Sequence, residues 1–303
     1  QQSRGDHLAY DRTTPFILTA TAYAAYVSKL LSKTAKILGK TVDEKKYLKR
    51  YMKIKQAFND AWVCEDGSIA YWGEQSICDF DERGNVINKT YYSHSSGNLP
   101  SQTAYAVAID FGLLPEEKSE RIRECFKQTI DEHDGRLSVG FLGISHLAPA
   151  LVKIGLDKYA FSLLEEKRNP SWLYSVINGA TTIWERWSSY IAETDTFGDV
   201  SMNSFNHYAY GAIGEWMMNY ISGIKPLDPG YMEIAIEPHI GGSLKYAKAW
   251  HNTPYGIVKS SWRIEDEDII YEIEIPPNTR ALFSAGDIKT AYGSGIYKIV
   301  VKK

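Results

Sequence analysis

The stretch GIKPLDPGYMEIAIEP, Gly223–Pro238, is where the chain changes its period. Upstream of it, apolar residues recur at steps of three and four, the spacing of one helix face. Downstream they alternate with period two, the spacing of half-buried strands. On the helical side, Thr14-Pro15 reads as an N-cap followed by proline at the first helical position, opening a helix to Leu38 that stops at Gly39. Tyr47, Tyr51, Ile54, Phe58 and Trp62 mark a second helix, and residues 63–97 read as a long loop. A helix from Pro100 to Phe111 ends at Gly112, and the next carries Ile122, Cys125, Phe126, Thr129 and Ile130 on one face. Further helices are predicted at 145–154, 157–167 and 204–222. Beyond Pro226, MEIAIEP, LKYAKAWH, GIVKSSWRI, DIIYEIEI, ALFSAG and IYKIVVKK read as strands, with NTPYG as a hairpin turn.

Helices paired by short turns imply either an open solenoid or a closed toroid of the (α/α)6 kind. The lack of a strict repeat favours the toroid. The expected fold class is therefore mainly α, part of an (α/α)6 toroid over residues 1–225, followed by a small antiparallel β-sandwich over 226–303.

Composition narrows the function. The net charge of -3 provides no basic surface for nucleic acid. No apolar run is long enough to span a membrane. Cys64, Cys78 and Cys125 are odd in number and widely spaced, which makes neither a disulfide framework nor a zinc site. Aromatic residues reach 13%, with 21 Tyr and 8 Trp. Such side chains suit sugar sites, because a ring face covers the apolar face of a pyranose. A large helical core uses them too.

Four groups of residues could carry chemistry. GATTIWERWSSY, Gly179–Tyr190, sets Glu185 beside Arg186 and between Trp184 and Trp187. A charge among tryptophans is costly unless paired or used; the plain alternative is an exposed helix start. GDHLAYD places Asp6, His7 and Asp11 ahead of a helix, as sugar ligands or as a turn and cap. Asn203, Asn206, His207, Tyr208 and Tyr210 crowd the start of the 204–222 helix, where polar groups can point into a cleft. Tyr71, Trp72 and Glu74, with Tyr91, Tyr92 and His94 further on, either wall a subsite or staple the long loop. There is no phosphate-cradling loop and no nucleophile elbow, and the histidines lack metal-ligand spacing. What remains is carboxylate chemistry, as in glycoside hydrolysis.

GATTIWERW, followed about twenty residues later by NSFNHYAYGAIGEW, resembles the signature of bacterial α-L-rhamnosidases, inverting glycoside hydrolases with an (α/α)6 barrel. GDHLAYD, PSQTAYAVAIDFGLLPEE and GRLSVGFLGISHLAPALVKIGLDKYA extend the likeness, which runs into the C-terminal β-domain. The resemblance implies that Glu185 is the general base and that His207 contacts the rhamnose. It implies that Asp6 points at sugar hydroxyls, and that Trp184 and Trp187 line the pocket or brace the base. Trp72 is a further candidate for sugar contact. The family usually has tryptophan where this chain has His7, which implies an altered stacking surface. The family's acid lies in an RDE-type motif upstream of the glycine-aspartate segment. By that pattern, and with about seven or eight helices against the barrel's twelve, the chain is expected to be the C-terminal part of a longer polypeptide. Its implied partner is a rhamnose-containing glycoside or polysaccharide, with no cofactor and no metal. A different (α/α)6 glycosidase, a non-catalytic carbohydrate-binding toroid and a purely structural helical scaffold stand as alternatives.

Overall fold

The computed structural model describes residues 5–10, 14–69, 74–80, 86–93 and 101–302, with the backbone alone for 74–80 and 86–93. The chain divides into two compact units, Gln1–Tyr210 and Gly211–Lys303.

The first unit is built from helical hairpins. Helix α1 (Phe16–Ile37) and α2 (Thr41–Trp62) join through Gly39, whose φ of +66° is the left-handed conformation that ends a helix. The buried stripe of α1 is small: Ala22, Ala25, Ser28, Ser32 and Ala35. It leaves room for α2, whose Tyr51 and Phe58 are buried. The start of α1 differs from expectation. Pro15 occupies the cap position, and the Thr14 hydroxyl bonds Ser101 Oγ at 2.5 Å instead of capping.

The expected 63–97 loop contains an antiparallel hairpin, β1 (Glu74–Phe80) with β2 (Val86–Ser93). Helix α3 (Gln102–Asp110) follows, with Ser101 Oγ accepting from Ala104 N–H. Residues 102–108 are all buried, so α3 is the axis of the unit. A polar Gln102 survives there because its amide is used at both ends. Nε2 donates to Arg136 O and Oε1 accepts from Ser138 N–H, each at 2.9 Å. Helices α4 (Ser119–Asp131), α5 (Phe141–Lys153) and α6 (Asp157–Glu165) match the periodic segments. Cys125 is half-buried rather than core, and Cys64 and Cys125 are free thiols. Helix α7 (Trp172–Ile177) and the two-residue strands β3 (Tyr190–Ile191) and β4 (Thr196–Phe197) were not foreseen.

A polar chain crosses this helical packing. Asp110 of α3 bonds His146 Nδ1 at 2.6 Å, and His146 Nε2 meets the Tyr23 hydroxyl at 3.1 Å. Lys153 donates to the other Asp110 oxygen. Burial works to raise the Asp110 carboxyl, but the hydrogen bonds from His146 and Lys153 hold it below its ordinary value. A depressed carboxylate contributes stability that is present above the unfolded value and lost as pH falls through the folded one. Asp110→Asn should therefore cost about 1–3 kcal/mol at neutral pH. The gap from the unsubstituted protein should close as the medium is acidified below the carboxylate range, as read by thermal melts across pH.

Residues 209–221 form successive 3₁₀, α and π turns, the first of which starts in the first unit, and the second unit continues as a β-sandwich. One sheet has the order β11-β10-β6-β5, from β5 (Ile224–Pro226), β6 (Glu233–Ile236), β10 (Arg280–Ala285) and β11 (Ile288–Tyr292). The other has the order β12-β9-β8-β7, from β7 (Tyr246–Thr253), β8 (Gly256–Glu265), β9 (Asp268–Ile275) and β12 (Gly295–Lys302). The second sheet is antiparallel throughout, as expected. The first contains a parallel pair, β6 with β10, because the chain leaves it for three strands of the other sheet before returning. Tyr271 meets Phe283 edge-on at 5.2 Å across the sandwich. Trp262 Nε1 donates to Ile221 O at 2.8 Å, which ties β8 to the end of the helical turns.

Candidate active site

The centre of the site is a pair of irregular segments held together by main-chain hydrogen bonds. Glu185 N–H donates to Ser204 O and His207 N–H donates to Ile183 O, both at 2.8 Å. The Thr182 hydroxyl donates to Phe205 O. Residues 182–185 thus run alongside 204–207. This is why the expected helix at 204 starts only at 209: the Ser204 and Phe205 carbonyls, which would accept the first helical bonds, are spent on the neighbouring segment.

The pairing aims Glu185. Its Oε2 accepts from Ser204 N–H at 2.7 Å, while Oε1 has no partner among the described residues. The residue is half-buried. One oxygen is fixed and the other is available, which suits a carboxylate that takes a proton from water. Arg186 does not assist it directly. Its Nε donates to Met202 O at 2.8 Å and its guanidinium pairs with Asp199 at 3.2 Å.

His207 sits three residues along from Ser204, the partner of Glu185. Its Nδ1 accepts from Ala209 N–H at 3.3 Å, so in the neutral ring the proton lies on Nε2, free to donate to a ligand. The ring stacks on Phe141 at 4.7 Å, with Tyr208 stacked beside it at 5.2 Å and His7 set edge-on to Phe141 at 5.5 Å. His7 thus keeps an aromatic contact in the site.

The tryptophans on either side of Glu185 are packed into the surrounding structure. Trp184 is buried against Tyr190 and Phe205. Trp187 is 3% exposed, stacks on Tyr210 at 3.9 Å and donates from Nε1 to Val139 O at 2.9 Å. Tyr210 in turn donates to Leu8 O at 2.9 Å, and burial above all, with the Asp6 charge next, pushes its phenol well up.

Asp6 is corrected. The residue expected to face sugar hydroxyls is 2% exposed. Both of its oxygens are taken: Oδ2 by Thr103 and by Gly140 N–H at 2.8 Å, Oδ1 by Leu142 N–H at 2.8 Å and Gly143 N–H at 3.0 Å. Burial raises its carboxyl and these four hydrogen bonds pull against that rise. Asp6 anchors the 5–9 loop to the N-terminus of α5, where the helix dipole favours an anion. Gly140 is required there, since a Cβ would strike His7 O, Asp6 O and Ala9 N. Trp72 and Tyr71 lie outside the described residues, as does the side chain of Glu74. Phe141 and Ser204 were missed; a Gly-Phe pair at a helix start was the only trace of the first. Among the described residues no group of three or more His, Cys, Asp or Glu could hold a metal ion, and no helix is long and apolar enough to cross a membrane.

Residues 1–221 match the bacterial α-L-rhamnosidase 6 hairpin glycosidase domain, and residues 223–293 match the bacterial α-L-rhamnosidase C-terminal domain. The chain belongs to the bacterial α-L-rhamnosidase family. It is 40% identical over 268 residues to an α-L-rhamnosidase of Formosa agariphila, covering 88% of this chain and 26% of that protein. It is 34% identical over 277 residues to one of Streptomyces avermitilis, covering 91% and 24%. The chain therefore spans about a quarter of the length of these curated relatives. Among solved structures, the Streptomyces avermitilis α-L-rhamnosidase complexed with L-rhamnose aligns with a TM-score of 0.84 at 31% identity, over 99% of this chain and 28% of that one. Native α-L-rhamnosidase from Aspergillus terreus aligns with a TM-score of 0.86 at 28% identity, over 99% and 33%. A helical toroid followed by a β-domain is consistent with these rhamnosidase neighbours.

Proposed function

We propose that this chain is the part of an α-L-rhamnosidase that supplies the general base, Glu185, and a histidine, His207, that orients the sugar. Residues 1–225 belong to the catalytic domain and 226–303 form the β-sandwich beyond it. The observation that carries the reading is the Glu185 carboxylate, fixed through one oxygen by Ser204 N–H and open at the other, on a segment paired with that of His207. In an inverting glycosidase one carboxylate activates water on the face opposite the leaving group while a second carboxyl protonates the departing oxygen. Terminal α-L-rhamnose is the sugar, in keeping with a relative solved with L-rhamnose.

The full-length protein should release rhamnose from para-nitrophenyl α-L-rhamnoside, and proton NMR should show the β-anomer first. First appearance of the α-anomer would overturn inversion. Turnover of another aryl glycoside in place of the rhamnoside would overturn the sugar. His207→Ala should lower kcat/KM by the equivalent of about 1–3 kcal/mol, the range for a buried hydrogen bond. Both limbs of the pH profile should stay in place, since His207 holds the sugar and takes no proton in the reaction. A displaced limb would move His207 from orientation to proton transfer.

A further inference from the structure

The outer face of the β12-β9-β8-β7 sheet bears side chains that serve neither the sandwich core nor the site around Glu185. Alternation puts Tyr246, Lys248 and Trp250 of β7 on one face. The register sets Tyr246 opposite Arg263, Lys248 opposite Ser261 and Trp250 opposite Lys259. It continues from Ser261 to Glu272 and from Lys259 to Glu274 on β9, then to Lys298 and Ile296 on β12. The two rings are open to solvent, Tyr246 at 72% and Trp250 at 59%. Strand rise separates them by roughly 14 Å. A shallow cleft of about 370 Å³ includes Tyr246, Lys248, Ser261, Arg263 and Glu272 in its lining.

We propose that this face binds an acidic oligosaccharide, a chain bearing carboxylates, at a site separate from Glu185. Two exposed rings with polar groups between them offer apolar platforms for sugar faces and donors for what projects from their edges. The charges between the rings argue against a protein occupant, because the centres of protein interfaces are depleted of Lys and Glu. Five cations, Lys248, Lys259, Arg263, Lys298 and Lys302, meet four carboxylates, Glu265, Asp268, Glu272 and Glu274, on this face, an excess of one positive charge. Arg263 is paired with Glu265 and Glu272, and Lys259 with Glu274. Arg263 above all, with Lys298 and Lys248 adding their charge, holds the Glu272 carboxyl below its ordinary value. The face thus keeps a positive excess on a chain of net charge -3, and that excess matches an anionic ligand.

The inference stands apart from the catalytic reading and is tested without turnover. Hydroxyl-radical footprinting of the full-length protein should label Tyr246 and Trp250 in the free state, and oligogalacturonate should protect both. A neutral cello-oligosaccharide should protect neither. By calorimetry, Trp250→Ala should weaken oligogalacturonate binding about tenfold, and Lys248→Glu should remove its salt-sensitive part. Hydrolysis of para-nitrophenyl α-L-rhamnoside should be unchanged in both variants. Absent labelling in the free protein would mean that another part of the polypeptide or a second copy covers the face. That result, equal protection by the neutral sugar, or unaltered binding in Trp250→Ala would each overturn the proposal.

Discussion

Glu185→Gln is expected to lower turnover of the complete enzyme by about 10²–10⁴-fold, the usual contribution of base assistance. The substitution is chosen for what it keeps. A glutamine oxygen still accepts from Ser204 N–H, the bond that fixes the carboxylate at 2.7 Å. The paired segments therefore stay in register, and L-rhamnose should bind as before. What is lost is the basicity of the oxygen that has no partner among the described residues. Glu185→Ala would remove the anchor as well as the base, and so could not separate the two roles. Steady-state kinetics with a titration of L-rhamnose reads both quantities. Near-normal turnover in a folded Glu185→Gln protein would remove Glu185 from the mechanism.

Asp6→Asn is expected to cost stability rather than catalysis. The carboxylate accepts four hydrogen bonds, and an amide offers only one oxygen. With the NH₂ on the Leu142 and Gly143 side it faces two amide donors; on the other side the Thr103 hydroxyl can turn to accept from it, but Gly140 N–H cannot. At least one buried donor is left unmatched, which costs about 1–3 kcal/mol. Denaturant unfolding of the full-length protein should show that loss, with a modest change in KM once folded protein is compared. An unchanged unfolding midpoint with a raised KM would return Asp6 to the sugar site.

The contrast between these two carboxylates shows what the sequence could carry. Glu185 stands out in the sequence because its setting is local: a charge between two tryptophans has few uses. Asp6 was misread because its partners lie more than ninety residues away, at Thr103 and at the amides of Gly140, Leu142 and Gly143. No local pattern announces that three amides will converge on one side chain. The long helices were readable from their periodicity, and the strands after Pro226 from alternation. Helix α7, with six residues, has too few turns to show a period. β1 and β2 are EQSICDF and VINKTYYS, in which apolar and polar residues do not alternate cleanly. The late start of the helix at 209 could not be foreseen from propensity, since it follows from the Ser204 and Phe205 carbonyls being taken by residues 182–185.

Glu185 and His207 are set in place by backbone groups of Ser204 and Ile183. The residues that flank them are under a weaker constraint. Phe205 packs its ring edge-on against Trp184, whereas Ile183 and Asn206 are exposed, and Ile183 enters the pairing through its main-chain oxygen. The latter two positions are open to variation without disturbing the base. A combinatorial library at codons 183 and 206 is therefore expected to leave the bond between Glu185 and Ser204 N–H intact.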